Sequence, residues 1–166
     1  DVFDNYKYFQ DIFCYSADTI IRGKYPSFAK RLLKEEGVVL NITKEDEEVI
    51  AQGTADFLGF SYYMSQCRTT HEDGVATKGN IFTGYENPYL KKSEWGWQID
   101  ADGLRYSLVD FYHRYHKPLF IVENGIGIDE TMKDGKVYDD ERIAYYQKHI
   151  KAINTAVEHD LSLIHI

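Results

Sequence analysis

Two uninterrupted apolar runs constrain this chain more than any other feature. Residues 56–64, DFLGFSYYM, and residues 118–125, PLFIVENG, lack the polar–apolar alternation of a strand with one wet face. Continuous apolar strands are the habit of parallel sheets buried on both faces. Between them Leu104, Leu108, Phe111 and Tyr115 recur at helical spacing and predict a helix that stops before Pro118. After the second run Ile143, Tyr146, Ile150, Ile153 and Val157 predict another helical stripe, starting near Asp139. Strand, helix, strand, helix is the order of an α/β fold with a parallel sheet, either doubly wound or closed into a barrel. No GxGxxG follows either strand, which disfavours the dinucleotide-binding version.

The first third of the chain reads as helical. DVFDNYKYFQDIF carries an aromatic helix face, and YPSFAKRLLKEEG places Pro26 for a first turn and Gly37 for a C-terminal cap. Thr43 and Asp46 form a capping-box pattern that predicts a helix through about Ala51. Residues 65–98 are polar, glycine-containing and unperiodic. A connection that long inside a compact domain is functional or disordered, and the aromatic end NPYLKKSEWGW favours an ordered, functional loop. Residues 125–137, GIGIDETMKDGKV, read as a second loop.

Composition narrows the partners. A net charge of -8 opposes a phosphate backbone, and no dense run of Lys and Arg suggests a nucleic-acid or anionic-membrane surface. The two cysteines, Cys14 and Cys67, make no disulfide framework, and the six histidines show no metal spacing, so no metal or cofactor is expected. No apolar stretch reaches the roughly 18 residues of a membrane span and no signal-peptide pattern opens the chain, so the expectation is a cytoplasmic protein. Aromatics at 15% suit either a large core or a ring-lined polar groove.

The second run ends on a carboxylate, Glu123, held by the turn pair Asn124-Gly125. A carboxylate at the lip of a buried strand is rigidly placed and partly shielded, fit to attack an electrophilic carbon or to stabilise positive charge beside it. On spacing alone, Glu123 equally suits the start of an ordinary loop.

PLFIVENG, preceded by a helix ending in YHRYHK, resembles the nucleophile motif of glycoside hydrolase family one. DFLGFSYYMS resembles that family's sixth barrel strand, and NPYLKKSEWGWQIDADGLRYSL the segment leading into the helix before the nucleophile strand. The resemblance implies an incomplete (β/α)8 TIM barrel, about strands 6 and 7 with their helices, from enzymes that cleave β-glycosides with retention. FSYYMS and WGWQID are similar to the branch acting on 6-phospho-β-glucosides. By the same resemblance Glu123 is the nucleophile and Tyr63 the tyrosine that hydrogen-bonds it. Trp97 stands beside the leaving-group site, and Ser61 stands where many relatives have an Asn contacting the sugar. Whether Ser61 keeps that contact is left open. Tyr62 is expected in the core and Trp95 in packing. Ala101 replaces the family's Pro at the helix entrance.

Retaining hydrolysis needs a second carboxyl about 5 to 5.5 Å from the first. The family carries it in a TxNEP motif that this chain lacks. The expected partial catalytic domain is residues 1–160, without the eighth strand and without the Ser, Lys and Tyr loop that grips a 6-phosphate. LSLIHI, residues 161–166, has no counterpart in the family pattern, matches a translated transposon end used in sequencing libraries, and is expected to be a non-native tail. The expected partner is a small-molecule β-glycoside, 6-phosphorylated, and the fragment alone is expected to be inactive.

Overall fold

The computed structural model describes residues 2–77 and 84–161; residues 162–166, nearly all of the tail expected to be non-native, lie outside that set. The chain divides into two compact units, Asp1–Leu58 and Gly59–Ile166.

The first unit is helical. Helix α1 (Val2–Phe9) runs through a π-helical turn, Gln10–Cys14, into α2 (Tyr15–Arg22). Cys14, Ala17 and Ile21 recur at steps of three and four and are the residues buried along this stretch with Asp18, whereas Phe3 and Tyr6 of the aromatic face are exposed. Helix α3 (Ala29–Glu35) starts later than Pro26 suggested, and its end is fixed as expected at Gly37. Gly37 sits at φ +66°, Val38 N–H donates to Leu33 O at 2.8 Å and Gly37 N–H to Lys34 O at 3.3 Å, a Schellman closure that satisfies the last carbonyls. Helix α4 (Lys44–Gln52) opens on the expected capping box: Asp46 N–H donates to Thr43 Oγ1 and Thr43 N–H to Asp46 Oδ2. Arg31 crosses to Asp11 at 2.7 Å, tying α3 to the π-helical turn.

The second unit holds the two apolar runs. Strands β1 (Leu58–Tyr62, beginning at the unit boundary) and β2 (Leu119–Asn124) are hydrogen-bonded neighbours. Asn124 Nδ2 donates to Tyr62 O at 2.6 Å, so the C-terminal ends of the two strands lie side by side, the arrangement of a parallel pair. Helix α5 (Ala101–Tyr115) joins them, and every residue of its expected face, Leu104, Leu108, Phe111 and Tyr115, is buried. Tyr62, Leu104, Leu108 and Ala156 form one core cluster against which Phe60, Leu119 and Ile121 pack. Each such side chain removed from water contributes about 2 kcal/mol. Asp100 caps α5 through Gly103 N–H at 2.9 Å, so the helix starts at Ala101 without the proline that usually stiffens that position. The αL conformation of His116, φ 50°, ends it before Pro118.

Three sequence expectations are corrected here. Burial on both faces holds for neither strand within this chain: Gly59 and Ser61 of β1 are exposed, and Phe120 and Val122 of β2 are 58% and 56% exposed, because helices pack on only one face of the two-stranded sheet among the described residues. Residues 125–137 are not all loop. Strands β3 (Met132–Lys133) and β4 (Lys136–Val137) pair antiparallel around Asp134-Gly135, both at positive φ, the requirement of a type I′ turn. Helix α6 (Asp140–Thr155), continued by a π-helical turn at Ala156–Asp160, buries Tyr145, His149, Ala152 and Ala156, whereas from the predicted stripe Ile153 packs, partly buried, against the core cluster. Ile143 and Ile150 are more than half exposed. The reason is a polar anchor: Tyr145 takes the buried face to reach the strand ends, and hydropathy periodicity cannot see that.

Candidate active site

The pleat of β2 breaks where the sequence places its carboxylate. Leu119 and Ile121 lie on the helix-covered side, so strict alternation would send Glu123 there too. Val122 and Glu123 are instead both exposed. Glu123 meets Ser61 and Tyr63, on the face of β1 opposite Phe60 and Tyr62. Asn124 then turns toward α6, its amide donating to Tyr62 O and, at 3.0 Å, to Tyr145 Oη.

The Tyr63 hydroxyl donates to Glu123 Oε2 at 2.7 Å and the Ser61 hydroxyl to the same oxygen at 3.0 Å. Both stabilise the ionised form, so Glu123 titrates below the ordinary glutamate value, chiefly through Tyr63 and then Ser61. Tyr63 in turn is raised above the ordinary phenol value, first by this same hydrogen bond. Sharing one acceptor oxygen leaves Oε1 without a donor from either residue. A fixed, ionised carboxylate with a free oxygen can act as a nucleophile or as a counter-charge to a cationic transition state. The carboxylate is exposed, so the shielding expected at a strand lip is not supplied by the described residues.

Trp97 stands edge-on to Tyr63, ring centroids 5.4 Å apart. Trp95 stands edge-on to Trp97 at 5.8 Å and is 49% exposed, so it belongs to the site wall and not, as expected, to packing. Tyr63, both tryptophans and residues 124–130 line an open pocket of about 570 Å³ closed on one side by Arg142 and Tyr146 of α6. All four residues expected at the site, Glu123, Tyr63, Ser61 and Trp97, are thus brought together. Tyr62 is in the core, its hydroxyl donating to Asp100 O at 2.7 Å, and burial pushes its pKa strongly upward.

Sequence reasoning missed the supports. Tyr145 Oη donates to Tyr63 O at 3.1 Å and Tyr146 Oη to Asn124 O at 2.8 Å, so adjacent tyrosines of α6 hold the ends of both strands. Burial pushes the Tyr145 phenol up to about 12, keeping it a neutral donor. His149 stacks on Tyr145 with centroids 3.8 Å apart. Gln98, 1% exposed, pins the long loop by donating to Ser65 O at 3.0 Å and accepting from Asn87 N–H. Arg142 holds Asp139 through Nε at 3.0 Å, Ile126 O at 3.3 Å and the Glu130 carboxylate. The tandem tyrosines and the Asp139–Arg142 spacing were the available signals. Among the described residues no group of three or more His, Cys, Asp or Glu could hold a metal, and no helix is long and apolar enough to cross a membrane.

Comparison with known proteins places this geometry. The chain is 46% identical over 149 residues to a 6-phospho-beta-glucosidase of Dickeya chrysanthemi, covering 89% of this chain and 32% of that protein. It is 45% identical over 150 residues to the aryl-phospho-beta-D-glucosidase BglH of Bacillus subtilis (strain 168), with the same coverage. The chain thus spans about a third of the length of the curated relatives it matches. A family 1 b-glucosidase from Thermotoga maritima superposes with a TM-score of 0.71 at 26% identity, over 92% of this chain and 33% of that one. A beta-glucosidase from Exiguobacterium marinum, TM-score 0.64 at 23% identity over 87% of this chain and 32% of that one, shares the fold. The two strands and their helices are therefore part of an α/β barrel of this type. The sequence pattern of glycosyl hydrolase family 1 matches residues 3–165, across both compact units, and the chain belongs to that family.

Proposed function

We propose that this chain is part of the catalytic domain of a retaining β-glycosidase acting on 6-phospho-β-glucosides, with Glu123 as its nucleophile. The observation that carries the reading is the carboxylate at the tip of β2, held ionised by Tyr63 and Ser61, both of which donate to Oε2 and leave Oε1 clear of their own hydroxyls. An oxygen of Glu123 forms a bond to the anomeric carbon as the glycosidic carbon–oxygen bond breaks, and the departing oxygen takes a proton from an acid that this chain does not contain. Water then adds to the anomeric carbon, the bond to Glu123 breaks to release its carboxylate, and the water's proton goes to the acid/base group that had protonated the leaving oxygen. Tyr63 keeps the carboxylate in one rotamer through both steps, and Trp97 offers an aromatic surface to the leaving group.

The preference for a phosphorylated sugar rests on similarity to relatives named for 6-phospho-β-glucosides, including the Dickeya chrysanthemi and Bacillus subtilis proteins. Full-length protein assayed with paired phosphorylated and unphosphorylated aryl β-glucosides tests it: faster turnover of the phosphorylated substrate is expected, and the reverse ranking would point to a plain β-glucosidase. A 2-deoxy-2-fluoro glycoside that traps the covalent intermediate should add its sugar mass to the peptide holding Glu123. Labelling elsewhere, or wild-type kcat in Glu123→Gln, would remove the nucleophile assignment.

A further inference from the structure

Part of the pocket wall is made by two segments that lock into each other. Trp95 Nε1–H donates to Asp129 Oδ1 at 2.8 Å, and the Asp129 backbone N–H donates to Glu94 Oε2 at 2.7 Å. Neighbouring residues 94 and 95 therefore grip one residue of the loop after β2 from two sides. Gly127 lies against the same indole: a methyl group there would come within 2.5 Å of Trp95 Cε3 and 2.8 Å of Cδ2, closer than carbon atoms approach without displacement. Gly127 lies close against the Cγ–Cδ2–Cε3 side of the Trp95 indole, Asp129 takes its N–H, and Trp97 stands against the ring edge-on. Trp95 nevertheless stays 49% exposed and lines the pocket. Arg142 holds the loop at both ends through Ile126 O and Glu130, so the whole wall is braced against α6.

We propose that Trp95, locked by Gly127 and Asp129, is a specificity-determining residue that presents a flat aromatic surface to the leaving group and so favours aryl over small alkyl leaving groups. This rests on the glycosidase reading above. Trp95 would touch substrate; Gly127 and Asp129 are positioning residues acting through it. A wall that meets only the leaving group matters while that group is attached and has no influence once it has gone. It therefore acts on kcat/KM, which covers bond cleavage, and leaves untouched a kcat limited by hydrolysis of the glycosyl-enzyme.

The test uses full-length protein with a dinitrophenyl and a methyl 6-phospho-β-glucoside, wild type beside Gly127→Ala, Asp129→Ala, Asp129→Asn and Trp95→Leu. In Gly127→Ala, Asp129→Ala and Trp95→Leu the aryl-to-methyl ratio of kcat/KM should fall about tenfold, the scale of a displacement of a fraction of an ångström at a contact surface. In Gly127→Ala and Asp129→Ala, which act only through Trp95, the kcat on the dinitrophenyl substrate should stay within about twofold of wild type. Asp129→Asn keeps an acceptor oxygen for the indole and should restore most of the ratio. Amide exchange across residues 125–130 should quicken in Asp129→Ala. An unchanged ratio, or kcat falling in step with kcat/KM, overturns the proposal. A wild-type protein that cleaves no β-glycoside defeats the glycosidase reading and the selectivity with it, while amide exchange unchanged by Asp129→Ala would separately show that the lock does not exist.

Discussion

The Tyr63 hydroxyl reaches Glu123 Oε2 at 2.7 Å across the C-terminal ends of two neighbouring strands, and the carbonyl of the same tyrosine is held by Tyr145. The pair is thus fixed at both ends: one hydrogen bond sets the carboxylate, another sets the residue that sets it.

Removing the phenol donor in Tyr63→Phe should lower kcat of the full-length enzyme about 10- to 100-fold, the range seen when one oriented donor is lost from a charged site. The sign of the pH effect follows from the depressed pKa of Glu123. With its main stabilising donor gone, the carboxylate takes up a proton at higher pH, so the acid limb of kcat/KM should move upward. An acid limb that stayed in place or moved down would contradict the assigned cause.

Ser61→Ala should act in the same direction with a smaller shift, because Ser61 contributes less to the depression of Glu123 than Tyr63 and its bond is longer, 3.0 Å. The comparison of the two acid limbs is the measurement; a larger shift for Ser61→Ala than for Tyr63→Phe would reverse the ranking.

Tyr145→Phe deletes the donor to Tyr63 O and the acceptor for Asn124 while keeping the ring stacked on His149. The expected cost is about 1 to 2 kcal/mol of stability, with the denaturant midpoint lowered and the slope unchanged. Since the lost bonds hold the strand ends, kcat should fall as well, which a purely peripheral helix contact would not cause.

Gly103→Ala places a methyl group against the Tyr62 hydroxyl and the Asp100 carboxylate at the entrance of α5. Ala is the better helix former, so propensity alone predicts stabilisation. The clash should win, lowering stability by about 1 to 3 kcal/mol and measurable as a drop in Tm.

The purified 166-residue chain should hydrolyse neither phosphorylated nor plain aryl β-glucosides, because it contains no Asn-Glu-Pro motif to supply the acid/base carboxyl. Measurable turnover by this chain alone would require a second carboxyl from residues assigned here to structural roles, Glu130 and Asp129 being nearest the pocket by their lining positions.

The amino-acid sequence by itself determined most of the local elements and named the residues of the candidate site. Capping at Thr43, the glycine stop at Gly37, the buried face of α5 and the carboxylate tip of β2 are all encoded in residues a few positions apart, where steric and hydrogen-bonding rules act without knowledge of the rest of the fold. The Asp134-Gly135 hairpin was not read from the sequence, although that residue pair is a type I′ turn signal, because the residues flanking it are too few to read as strands. Only the tertiary structure decided which face of α6 is buried, because the choice turns on hydrogen bonds from Tyr145 and Tyr146 to strand ends more than 20 residues away. It alone turned Glu123 off the helix-covered face to meet Ser61 and Tyr63, and moved Trp95 from packing to the pocket wall. Hydropathy records how much a side chain gains by leaving water; it carries no record of which distant donor or acceptor will be there to meet it, and at this site those partners fix the geometry.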